Sequence, residues 1–117
     1  VQSPYQSAIQ WLREQPVTEA MLLNSHTTYD WFYPYLRHSH AFFMLDDYAG
    51  GGTTVKAKTT RLLNTIAAGH RAVWVFDSDP AHTTPAETAA RQWLAAYPVA
   101  HQADIDGGRL YLYILQK

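Results

Sequence analysis

Ala72-Val73-Trp74-Val75-Phe76, followed after a short polar gap by Thr84-Pro85-Ala86-Glu87, decides how the rest of the chain reads. The first stretch is a purely apolar run of five residues and reads as a strand. The second is a full helix start. Thr84 is the cap, Pro85 takes the first helical position, and Glu87 stands where it closes a capping box. The helix carries the stripe Ala90, Trp93, Leu94 and Tyr97, and Pro98 ends it.

The same alternation runs outward in both directions. Ser3 and Pro4 open a first helix with the stripe Tyr5, Ala8, Ile9 and Leu12, and Pro16 closes it. Met21 to Asn24 reads as a short strand. Thr27 or Thr28 caps a second helix with the stripe Tyr29, Phe32, Tyr33 and Leu36, which Pro34 should kink or shorten. Ala41 to Leu45 is apolar on both faces, as a buried parallel strand would be. A third helix is expected over Val55 to Ala68, with Gly69 as its stop. Towards the other end, Val99 to Ile105 and Arg109 to Leu115 flank Asp106-Gly107-Gly108, a hairpin turn signal. The order α-β-α-β-α-β-α-β-β predicts an α/β fold: a three-layer Rossmann-like sandwich around a five-stranded, mostly parallel sheet. The last strand is apolar on both faces and would invite aggregation as an edge. It is therefore expected inside the sheet, antiparallel, between the third and fourth strands.

The chain has 117 residues, which fits a single domain over 1–117, and no linker or repeat divides it. Its start at Val1 fits a piece of a longer protein. A net charge of −1 leaves no basic excess to neutralise a run of phosphates, so nucleic acid is not expected as a partner. With no cysteine, disulfides, thiolate catalysis and cysteine zinc sites are all excluded. No apolar run approaches the ~20 residues needed to cross a bilayer.

Four groups of residues could carry chemistry. Asp77, Ser78 and Asp79 follow the third strand, at the carboxyl end where open α/β sheets bind ligands. Asp77 and Asp79, joined by Asp46 and Asp47 from the neighbouring strand end, could hold Mg²⁺ against a phosphate. Equally, Asp and Ser are ordinary loop-start residues. The loop Gly50-Gly51-Gly52 leading to Lys56 and Lys58 precedes a helix but fits no phosphate-binding motif. His38 and His40, with His26 nearby, have a metal-like spacing but no third ligand in the sequence, and Ser25, His26 and Asp30 lack a nucleophile elbow. The aromatic cluster Tyr29, Trp31, Phe32, Tyr33 and Tyr35 covers more than one helical face. Trp31 and Tyr35 are thus candidates for an exposed interface or ligand patch.

Several of these stretches together resemble one family. They are Ala8-Ile9-Gln10-Trp11-Leu12, Arg71-Ala72-Val73-Trp74-Val75-Phe76-Asp77, Trp93-Leu94-Ala95-Ala96-Tyr97-Pro98 and Gly108-Arg109-Leu110-Tyr111-Leu112-Tyr113. The pattern looks like the soluble C-terminal domain of bacterial polytopic membrane glycosyltransferases of the protein-mannosyltransferase and aminoarabinose-transferase type. The resemblance implies a domain on the extracytoplasmic side of a bacterial membrane, tethered through a parent enzyme that uses a polyprenyl-phosphate sugar donor. Its partners would be the transmembrane portion of that parent, the membrane surface or the acceptor. The family's catalytic carboxylates lie between membrane helices, so no catalytic residue and no cofactor carry over to this chain. The alternatives are a Mg²⁺-dependent enzyme acting on a phosphorylated substrate through Asp77 and Asp79, and a small-ligand-binding or interaction module.

Overall fold

The computed structural model describes residues 5–16, 19–23, 26–45, 52–77, 84–105 and 108–115. Four helices and five strands alternate in the expected order: α1 (Gln6–Arg13), β1 (Ala20–Leu23), α2 (His26–Leu36), β2 (Ala41–Met44), α3 (Gly52–Gly69), β3 (Ala72–Asp77), α4 (Pro85–Leu94), β4 (Val99–Ile105) and β5 (Gly108–Ile114). They build one sheet with the strand order β2-β1-β3-β5-β4. β1 pairs in parallel with β2 and with β3, while β5 pairs antiparallel with both β3 and β4. Two pairings of each kind make the sheet mixed, not mostly parallel. The insertion of β5 between β3 and β4 is the cause, and that insertion follows the sequence reading of an apolar last strand.

Side-chain alternation along the strands divides the core in two. Met21, Leu23, Trp74 and Phe76 pack under α1 and α2 through Ile9, Leu12, Phe32 and Leu36. Leu22 and Val73, one residue out of phase, pack under α3 and α4 through Leu63, Ile66, Ala90 and Leu94. The helices thus cover both faces. At the start of β5 a Cβ on Gly108 would sit 2.5 Å from Cζ of the buried Phe76 ring, a distance only glycine avoids.

Several boundaries differ from the sequence reading: β1 begins at Ala20, and α4 ends at Leu94, short of Tyr97 and Pro98. α2 already begins at His26, ahead of either threonine named as its cap. It contains Pro34 and runs two residues past it to Leu36, the end of the apolar stripe. α3 starts at Gly52, three residues into the stretch read as loop, and ends at Gly69 as expected. The proposed cap at Ser3 and Pro4 lies outside the described residues. β2, read as a buried strand, is instead an edge of the sheet and half-buried along its length.

The α4 start is as read. Thr84 has extended backbone, and its hydroxyl oxygen accepts from the Glu87 N–H at 3.2 Å. The return arm differs from the usual box, since the Glu87 carboxylate accepts from the Thr84 hydroxyl at 3.4 Å.

Candidate functional site

The carboxyl ends of β1 and β3 lie side by side, and the chain leaves them towards opposite faces of the sheet. α2 follows β1 onto one face and α4 follows β3 onto the other. Such a divergence opens the crevice in which open α/β sheets hold ligands. Asp77, the last residue of β3, stands at this point.

The register across the sheet sets Asp77 opposite Arg109 of β5, and Arg109 opposite Asp104 of β4. Directly opposed residues share a face, so these three charges line one row on the α3–α4 side. α4 supplies two more. Arg91 Nη2 donates to Asp77 Oδ2 at 2.6 Å, and Arg91 lies 3.7 Å from Glu87, one helical turn earlier. Arg109 Nε donates to Asp104 Oδ1 at 2.5 Å. Hydrogen bonding to Asp104 holds the Arg109 guanidinium above its ordinary pKa. The row therefore alternates in sign: Asp104, Arg109, Asp77, Arg91, Glu87.

Beneath Arg91 is a small pocket. Leu22, Leu45, Val75, Ala90 and Leu94 form its apolar wall, and Asp77, Glu87, Arg91, Tyr111 and Tyr113 its polar side. Its volume is about 40 Å³. Burial, and then the neighbouring Tyr111, push the Tyr113 phenol above its ordinary pKa, while Arg91 pulls it down. The phenol stays protonated and can donate. Asp77 Oδ1 is buried and has no hydrogen-bond partner among the described residues. A buried acceptor of that kind is costly unless something donates to it. The arrangement can thus hold a small donor group beside an apolar wall. Between them, Asp77 and Arg91 offer charge and hydrogen bonds.

The residues singled out from the sequence fare differently. Asp77 is in the crevice, but Asp46, Asp47, Ser78 and Asp79 lie outside the described residues, as do Gly50, Gly51 and Ser25. Among the described residues no three His, Asp or Glu side chains come together as a metal site. His38 is exposed and accepts from Arg37 Nε at 3.2 Å. His40 is buried with Nδ1 2.7 Å from the Ser39 hydroxyl, so the two histidines do not converge. Asp30 is exposed, and Lys56 and Lys58 lie on the exposed side of α3. Trp31 is not an open surface residue, because the Tyr5 ring covers it at 4.6 Å. Tyr35 is 41% exposed and Tyr33 37%.

Arg91, Arg109, Tyr111 and Tyr113 were not singled out as site residues. The alternation Leu110-Tyr111-Leu112-Tyr113 held a signal: once β5 is placed beside β3, one face of it must present both tyrosines beside the end of β3. Arg91 carried none, because its contact depends on how α4 lies over the sheet. No helix among the described residues is long and apolar enough to cross a membrane. No protein-family model matches the chain, and comparison with curated proteins and with solved structures finds no match.

Proposed function

We propose that this chain is a Rossmann-like, non-catalytic accessory domain of a bacterial membrane glycosyltransferase, held on the extracytoplasmic side through its parent protein. What supports the reading, besides the sequence resemblance, is one observation: the carboxylate at the ligand-binding end of the sheet is tied to Arg91 at 2.6 Å beside a pocket of only about 40 Å³. A sugar or nucleotide site needs several hundred Å³. Exposed Tyr33 and Tyr35 offer the membrane portion of the parent a face with apolar bodies and polar tips.

A thermal melt with and without millimolar Mg²⁺ or Mn²⁺, repeated on Asp77→Asn, tests this against the Mg²⁺-dependent enzyme. A bound metal stabilises the fold by mass action, by about 2.7 kcal/mol at a hundredfold excess over its dissociation constant. The accessory reading expects no metal-dependent shift in either protein. A shift in the wild type that disappears in Asp77→Asn overturns it. The encoding reading frame is an independent check, since this reading requires a series of apolar segments of about 20 residues in the same frame.

The unpartnered Asp77 Oδ1 favours a second reading, a small-ligand-binding module. On that reading a ligand with an amine or hydroxyl donor supplies the missing hydrogen bond. Titration with small amines and polyols, followed by the amide resonance of Asp77, separates the two: saturable shifts favour the module, and their absence leaves the accessory domain.

A further inference from the structure

β4 ends the sheet. It pairs with β5 on one side, and no described residue pairs with the other. The helical layers leave it bare: residues 99–102 and Asp104 are exposed, Val99 to 44%. Proteins guard such edges with short strands, lysine, proline or a cover. The opposite edge, β2, uses the first device and has four residues. β4 has seven residues, none of them lysine or proline. A bulge between Val99 and His101 breaks its register once and leaves His101–Ile105 as a straight edge.

We propose that this edge pairs antiparallel with the same edge of a second copy, about a two-fold axis at Ala103, joining two sheets into one. That axis sets His101 opposite Ile105, Gln102 opposite Asp104, and Ala103 opposite itself. The faces agree. His101 and Ala103 share the face of Leu112 and Leu110, and Gln102 and Asp104 share the face of Tyr111 and Arg109. The Gln102 amide therefore donates to the Asp104 carboxylate of the second copy, and symmetry repeats the bond. Arg109 balances the charge of each Asp104 within its own chain, and no like charges oppose one another. An axis at Gln102 would carry the pairing into the bulge, where the extra residue puts side chains on the wrong face. An axis at Asp104 would set two carboxylates face to face. The pairing is independent of the proposed function.

Sedimentation equilibrium of the chain from about 5 to about 500 μM tests it. The expected result is a reversible monomer–dimer equilibrium in that range. Gln102→Glu, which opposes two carboxylates in each half of the interface, weakens association about tenfold. Gln102→Lys tightens it, and Ala103→Lys abolishes it by setting two ammonium groups face to face. Residue 102 is exposed, so both Gln102 variants keep the monomer fold, which circular dichroism verifies. Amide exchange over residues 101–105 should slow as the concentration rises. A monomer at every concentration overturns the proposal. So does a dimer whose strength ignores the charge at residue 102.

Discussion

The two faces of the sheet are held in different ways. Under α1 and α2 aliphatic side chains surround a cluster of packed aromatic rings. The Tyr5 ring stacks on Phe32 at 5.2 Å and meets Phe76 edge-on at 5.1 Å, while Trp11 stands edge-on to Trp74 at 5.4 Å. Under α3 and α4 the buried side chains are aliphatic, with Leu63, Ile66 and Leu94 at the centre. The aliphatic face also carries the capped helix, the alternating charge row and the pocket, whereas the aromatic face has no comparable charge row among the described residues. Aromatic rings bury large areas and gain from edge-on contacts, so a few of them suffice to hold two short helices. The other face gains less per residue from packing and adds polar contacts at its rim, and it is there that ligand chemistry is available.

The sharpest way to break this comparison is to remove one anchor from each face. Trp74→Ala should cost about 4 kcal/mol and Leu63→Ala about 3 kcal/mol, both side chains being fully buried. Urea melts measure both. If Leu63→Ala proves the more damaging, the aromatic face is not the firmer one. The next effect is smaller and belongs to the aliphatic face alone. Thr84→Ala leaves the Glu87 N–H without its acceptor and should cost about 1 kcal/mol. Superimposable melts of this variant and the wild type would mean that the cap adds nothing to that face.

The smallest effect tests the boundary of the aromatic layer, where α2 hands over to β2. Burial lowers the pKa of His40, whose Nε2 has no partner among the described residues. The fold therefore prefers the neutral ring. The stabilisation is present above the ordinary value of about 6.5 and is lost as pH falls through the lowered value, because the unfolded chain takes up the proton first. Comparing urea midpoints near pH 7.5 and near pH 5.5 should show the wild type losing more stability than His40→Gln. Equal losses would place the titration elsewhere.

Much of this could be read from the residues, and the failures have physical causes. Leu110 to Leu115 is apolar at every second position on both faces, which forbids an edge and fixes β5 inside the sheet. β2 misled because its own apolar run is covered by rings, not by a second strand. Tyr29 stands edge-on to Phe42 at 5.6 Å, and His70 to Phe43 at 5.8 Å. A glycine is a poor helix former, so nothing in the sequence points to Gly52 as the start of α3. Asp77 was legible as the polar end of an apolar strand. Its partner Arg91 stands fourteen residues on, across a packing interface that no periodicity records.

The place of β5 has a consequence for the order in which the molecule can assemble. β1, β2 and β3 can pair with one another as soon as each has been synthesised. β4 cannot: among the described strands its neighbour is the one that follows it, and that strand must also close against β3. Until then the half-finished sheet presents the β3 flank, with Trp74 and Phe76 beside it, as an open and sticky border. The arrival of the β4–β5 hairpin is a single late event that seals this border, and contacts formed across such sequence separations are slow. A nascent chain that stalls before Gly108 is therefore at its most aggregation-prone when every strand of this sheet but the last has been made.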